Sequence, residues 1–213
     1  MTIDFEGLVA GYHRFRSGGW ASQRARWAQL AEGQSPRVLV IACSDSRVDP
    51  TIIFDVSPGE IFMVRNVANL VPPFETSAGH HGVSAALEFA VTQLNVDEIV
   101  VLGHGACGGV RASLDHAFAG APPGEGGFIA DWMELIEAER DKIVERLGDG
   151  PDAVRALELA CVKVSLANLR TFPFVPNREA EGKLRLRGAY FAIADGILHL
   201  LDEPSGEFEP VEG

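Results

Sequence analysis

The stretch RVLVIACSDSRVDP, residues 37–50, starts as an unbroken apolar run and stops on Cys43, Asp45, Arg47 and Asp49. Aliphatic and β-branched text with no polar alternation predicts a strand buried on both faces, as in parallel sheets covered by helices. Such sheets bind ligands beyond the carboxyl ends of their strands. Cys43, Asp45 and Arg47 fall at that end. A second stretch, EIVVLGHGACGGV at 98–110, repeats the construction, ending its apolar run on His104 and adding Cys107.

Working outward, EIFMVRNV (60–67) predicts another strand and GVSAALEFAVTQLN (82–95) a helix. Further helices are expected from CGGVRASLDHAF (107–118), FIADWMELIEAERDKIVERLG (128–148) and PDAVRALELACVKVSLANLRTF (151–172), the last opened by a proline in its first turn. The text returns to strand at KLRLRGAYFAIADGILHLLDE (183–203), where ADG predicts a tight turn between two strands. The fold class is therefore α/β: a mainly parallel central sheet flanked by helices, with an antiparallel C-terminal edge strand. No repeat period and no long linker interrupt the 213 residues, which predicts a single domain.

An excess of 30 acidic over 18 basic residues gives a formal charge of −12, which argues against a nucleic-acid partner. The opening MTIDFEGLVAGYHRFRSGGW lacks a basic stretch followed by an apolar one, and no window is apolar enough to span a membrane, so a cytoplasmic protein without a membrane partner is expected. With 3 cysteines and no secretion signal, free thiols or metal thiolates are expected rather than disulfides.

Cys43, His104 and Cys107 supply the three protein ligands of a catalytic zinc site, which keeps a fourth position for water. Both halves are predicted to emerge at the same sheet edge, and Gly103, Gly105, Gly108 and Gly109 are expected to let the backbone approach closely. On an extended segment Cys43, Asp45 and Arg47 share one side, so Arg47 can hold the Asp45 carboxylate in a two-point pair, away from the metal. If that pair broke, Asp45 could become a fourth ligand and close the site. Cys161 lies on the apolar period of its helix and is expected in the core. His13, His116 and His199 show no ligand spacing, and His80 and His81 precede a helix, where one of them could alternatively carry protons.

These motifs, CSDSR, PGEIFMVRNVANLVPP, GHGACGG and VSLANLRTFPFV, resemble the β-class carbonic anhydrases in an order that extends over nearly the whole chain. The resemblance implies one Zn2+ per chain on Cys43, His104 and Cys107, with Asp45 and Arg47 as the gating dyad. It is closest to the plant-like, non-allosteric branch: Gln34 in GQSP matches a donor to substrate oxygen, and Phe62, Val67 and Phe89 match apolar walls of the CO2 cleft, Phe89 replacing a tyrosine. A second branch has a bicarbonate pocket with a tryptophan, an arginine and a tyrosine; here Val40, Arg65 and Phe191 stand at those positions, which implies no such switch. The family further implies a homodimer or a multiple of dimers, with residues 1–33 as a helical arm against a partner through Phe5, Leu8, Tyr12, Phe15 and Trp20.

The activity so implied is reversible hydration of CO2 to bicarbonate and a proton, by attack of hydroxide on zinc. Two thiolates cancel the ion's charge, so activity is expected to rise through mildly alkaline pH. Hydrolysis of carbonyl sulfide or carbon disulfide on the same scaffold, and a non-catalytic zinc or redox module, remain open alternatives; the intact Gln34 favours CO2 over the first, and Asp45 with Arg47 argues against the second.

Overall fold

The computed structural model describes residues 3–212 and divides the chain into two compact units, Met1–Ser35 and Pro36–Gly213. The first unit is helical: α1 (Phe5–Ser17), α2 (Gly19–Ser22) and α3 (Arg24–Glu32). Asp4 caps α1 by accepting the Gly7 N–H at 2.8 Å. None of the α1 residues is buried, and Phe5, Leu8, Val9 and Tyr12, spaced as one helical stripe, are all exposed.

The second unit runs β1 (Val38–Cys43), α4 (Pro50–Ile53), β2 (Ile61–Asn66), α5 (Gly82–Glu88), β3 (Glu98–His104), α6 (Gly108–Leu114), α7 (Gly127–Met133), α8 (Glu137–Leu147), α9 (Pro151–Leu169), α10 (Phe174–Ala180), β4 (Arg185–Ala192), β5 (Ile197–Asp202) and β6 (Glu207–Pro210). The strands form one sheet in the order β2-β1-β3-β4-β5-β6. β2, β1, β3 and β4 are parallel, and β5 and β6 are added antiparallel. The expected turn at ADG joins β4 to β5, with Gly196 at φ 75° and the Asp195 carboxylate accepting the Ile197 N–H at 3.0 Å. The antiparallel edge is one strand wider than the sequence suggests, because β6 is short and carries Glu207 and Glu209.

Leu39 and Ile41 of β1 face a core built with Ile99 and Val101 of β3, Val162, Leu166 and Leu169 of α9, and Leu87 of α5. Burying each such side chain contributes about 1.5–3 kcal/mol. The opposite face places Val40, Ala42, Leu102 and Ala189 together, packed against Ile53, Phe54 and neighbouring strand residues. The chain leaves β1 for β2 on one side and then crosses to β3 on the other. The carboxyl ends of β1 and β3 thus flank a topological switch point, where a crevice opens in sheets of this kind.

Two predicted helices are interrupted. After α5 the chain widens into a π turn at Phe89–Gln93, with the Leu94 N–H donating to the Phe89 carbonyl at 3.0 Å. Arg178 of α10 supplies a donor to the Val91 carbonyl within that turn. The insertion keeps Leu87, Ala90 and Val91 buried while Phe89 stays exposed. A 3-10 turn at Glu134–Ile136 likewise separates α7 from α8.

Candidate metal centre

Cys43 is the last residue of β1, His104 the last of β3, and Cys107 the cap that opens α6. Their ligand atoms all lie within 4.8 Å of one another, and the residues are 5%, 1% and 2% exposed. Among the described residues no other histidine, cysteine, aspartate or glutamate group gathers this way. His104 Nδ1 lies 2.8 Å from the Gly105 carbonyl, a contact that fixes the proton on Nδ1 and presents the Nε2 lone pair. Nε2 is buried without a protein partner, which a metal ion would provide.

The sulfurs are surrounded by donors. The amides of Asp45 and Ala68 favour negative charge on the Cys43 sulfur, and those of Gly109 and Val110 on the Cys107 sulfur. The two sulfurs act on each other: Cys107 lowers the Cys43 pKa to about 4, while the neighbouring Cys43 sulfur, and then burial, drive that of Cys107 upward. Burial opposes charge on His104, yet the Cys43 sulfur beside it raises its pKa overall. A soft, negatively charged pocket with an imidazole suits zinc.

Arg47 holds Asp45 as predicted, with Nε to Oδ1 at 2.9 Å and the terminal nitrogen to Oδ2 at 2.7 Å, and its backbone N–H adds a third bond at 2.9 Å. These bonds keep the Asp45 carboxyl well below the usual carboxylate range. The same guanidinium donates to the Ala106 carbonyl at 2.9 Å, so the dyad also braces the CSDSR loop against the GHGACGG loop. Arg65 clamps the first loop from behind, donating to the carbonyls of Cys43 at 2.9 Å and Asp45 at 2.7 Å and to the Asp49 carboxylate at 3.2 Å.

Of the predicted apolar walls, Phe62 and Phe89 meet, with ring centroids 5.9 Å apart. Phe62 pairs with Leu39, however, and Asn66 with Cys43. At a rise of about 3.3 Å per residue, Phe62 therefore sits roughly 13 Å along the sheet from the metal end of its own chain. Val67 follows Asn66 directly, at that end, and is 37% exposed. Gln34 lies in the first unit and is exposed. Cys161 is buried in the core as expected. His81 stands at the N-cap position of α5, and its ring turns back to the Ser77 carbonyl and Glu75 rather than to the helix amides.

The glycines divide. A Cβ at Gly103 would meet Val162 at 2.7 Å, at Gly105 the Tyr190 hydroxyl at 2.9 Å, and at Gly109 a Val67 methyl at 2.6 Å. Gly108 faces open space, so the expectation of close approach is wrong for it.

Sequence reasoning missed a layer of polar residues beneath the centre. Ala68 and Asn69 hold left-handed backbone, φ 61° and 51°, which aims the Ala68 N–H at Cys43. Asn66 closes this turn through two bonds with Leu70, of 2.8 and 2.9 Å. From α9, Ser165 donates to the Asn69 carbonyl and accepts the Val71 N–H, and Asn168 donates to the Val71 carbonyl. Trp132 donates to the Val67 carbonyl at 2.9 Å. The only signal in the text was a serine, an asparagine and a glutamate on a helix face otherwise apolar.

Two cysteine sulfurs and an imidazole at the switch point of a largely parallel sheet define an α/β protein whose site could hold one metal ion. A family model described as carbonic anhydrase matches residues 38–198, and the chain belongs to that family, in its β class. It is 36% identical over 197 residues to β carbonic anhydrase 3 of Arabidopsis thaliana, covering 92% of this chain and 76% of the relative. It is 33% identical to a carbonic anhydrase of Synechocystis, covering 96% and 76% of the two chains. The solved β-carbonic anhydrase CcaA superposes with a TM-score of 0.88 at 32% identity, over 98% of this chain and 92% of that one. Zinc is accordingly the metal that Cys43, His104 and Cys107 fit.

Proposed function

We propose that the protein catalyses reversible hydration of CO2 to bicarbonate and a proton. The observation that carries this reading is the convergence of Cys43, His104 and Cys107, with a buried, partnerless His104 Nε2, where the family's metal belongs. Zinc held there would supply a Lewis acid that makes water nucleophilic, at mildly alkaline pH given its two thiolate ligands. Asp45, with both oxygens on Arg47, stays ionised and outside the ligand set, which leaves room for substrate; these two residues form the gate. Arg65 is committed to the Cys43 and Asp45 carbonyls, which supports a plant-like site without a bicarbonate switch at Val40, Arg65 and Phe191.

The active form is a homo-oligomer built from dimers. The exposed α1 stripe supports an arm, residues 1–33 of one domain, lying on a second copy. The distance of Phe62 and Phe89 from their own chain's metal end supports their walling the partner's cleft, with Val67 serving its own site. One solved relative, from Sordaria macrospora, is described as tetrameric; it superposes with a TM-score of 0.78 at 26% identity, over 93% of this chain and 96% of that one. Among the described residues no helix is long and apolar enough to cross a membrane. We place the protein in the cytoplasm, which cell fractionation tests.

Zinc analysis together with stopped-flow CO2 hydration tests the function. One zinc per chain and hydration that disappears in Cys107→Ser are expected. A zinc-loaded oligomer that hydrolyses carbonyl sulfide or carbon disulfide but leaves CO2 untouched refutes it.

A further inference from the structure

Helix α9 meets the metal-centre core with Leu157 and Cys161, yet between them lies Glu158, only 4% exposed. A buried carboxylate is costly unless its oxygens are satisfied. Both are. Oε1 accepts the backbone N–H of Cys107 at 3.0 Å, and Oε2 accepts the Tyr190 hydroxyl at 2.8 Å. Tyr190 is itself 1% exposed, and the Arg155 guanidinium lies 4.1 Å from the centre of its ring. Packing alone would be served better by an apolar residue of similar volume.

What Glu158 reaches gives its purpose. The Cys107 N–H and the Ala106 carbonyl belong to one peptide unit. Arg47 holds the carbonyl at 2.9 Å, and Glu158 holds the N–H from inside the protein. Ala106 is left-handed, φ 55°, a backbone state that an L-residue keeps only when its surroundings enforce it. The direction of that peptide sets where the Cys107 sulfur points. We propose that Glu158 is a positioning residue of the metal centre: with Arg47 it pins opposite ends of the Ala106–Cys107 peptide, so that Cys107 Sγ stays within reach of an ion shared with Cys43 and His104.

This inference rests on zinc binding by those three residues. Two near-isosteric variants separate acceptor from volume: Glu158→Gln keeps an oxygen for the Cys107 N–H, and Glu158→Met does not. The zinc dissociation constant is measured by chelator competition, and the cobalt-substituted proteins are compared by their thiolate-to-metal charge-transfer bands. Glu158→Gln is expected to bind zinc within about 3-fold of wild type with an unchanged cobalt spectrum, whereas Glu158→Met should bind about 10- to 100-fold more weakly with altered bands. Tyr190→Phe, which removes one of the carboxylate's two anchors, should weaken binding about 3- to 10-fold and stands in should the Met variant not fold. The proposal is overturned if folded Glu158→Met matches wild type, if Gln loses as much as Met, or if, with the Met variant unfolded, Tyr190→Phe binds like wild type. Wild-type protein that shows no thiolate charge transfer with cobalt overturns the metal assignment itself, a result distinct from any of these.

Discussion

Adjacent glycines in the GHGACGG loop should respond oppositely to the same substitution. A Cβ at Gly109 would stand 2.6 Å from a Val67 methyl, with Ala68 Cβ and Met133 Sδ each at 3.6 Å, whereas one at Gly108 meets nothing within 4 Å. Ordinary carbon contact begins near 3.5 Å, so Gly109→Ala requires α6 and the Val67 turn to separate by roughly 1 Å. The turn does not yield easily: the Val67 carbonyl is held by Trp132, and Asn69 and Val71 by Ser165. Overpacking of this kind costs about 1–3 kcal/mol, or roughly 2–12 °C in melting temperature for a chain of this size. The Gly109 N–H also faces the Cys107 sulfur, and a 1 Å displacement at a reacting centre can lower turnover about 100-fold. Gly108→Ala, in the first turn of α6, should be neutral or stabilise by up to about 1 kcal/mol. Thermal unfolding and stopped-flow CO2 hydration of both variants form the assay. Equal behaviour of the two, or a Gly109→Ala protein with unchanged melting and rate, would refute the packing argument.

Ser165→Ala should cost about 1–3 kcal/mol by orphaning the Asn69 carbonyl and the Val71 N–H, read as a lower melting temperature, and should slow hydration by loosening Ala68. Zinc analysis should find Cys161→Ala still binding one ion per chain and Cys43→Ser binding none. Serine at Phe5, Leu8 and Tyr12 together should lower the mass seen by light scattering and reduce activity, if the α1 stripe lies on a second copy. Asp49 titrates below the ordinary carboxyl range, chiefly through the Thr51 hydroxyl and then the Thr51 N–H and Arg65. Its stabilising contribution is therefore complete above the unfolded pKa of about 3.9 and fades as pH falls below it, so Asp49→Asn should flatten the acid limb of a denaturation-versus-pH curve there.

The strands around the centre were legible because each is an unbroken aliphatic run, and such text has one economical home, the middle of a covered parallel sheet. The ligands were legible for a related reason: a cysteine or histidine at the end of such a strand has no packing role that explains the polar loop after it. Helix interruptions were not. Nothing in GVSAALEFAVTQLN announces that Val91 will surrender its carbonyl to Arg178, a residue 87 positions away. Long-range satisfaction of a backbone group leaves no local trace in composition. β6 escaped notice because its two glutamates mask a strand made by pairing with Leu200 and Leu201 rather than by its own propensity.

The polar layer on α9 lies between these extremes. Glu158, Cys161, Val162, Ser165 and Leu169 fall on one buried stripe, so the helical period was readable while the meaning of its polar members was not. A buried glutamate on such a stripe either finds donors or unfolds the helix's packing, so its presence states that donors exist without naming them. Here they are the Cys107 N–H and the Tyr190 hydroxyl, from a loop and a strand that only the folded chain brings together. The general consequence is a rule for where to look: in an apolar helix crossing under a metal loop, the polar residues mark the backbone groups whose orientation the metal geometry depends on. Glu158→Met and Ser165→Ala test that rule at the two sulfurs separately, because one acts on the Cys107 peptide and the other on the turn that directs the Ala68 N–H to Cys43.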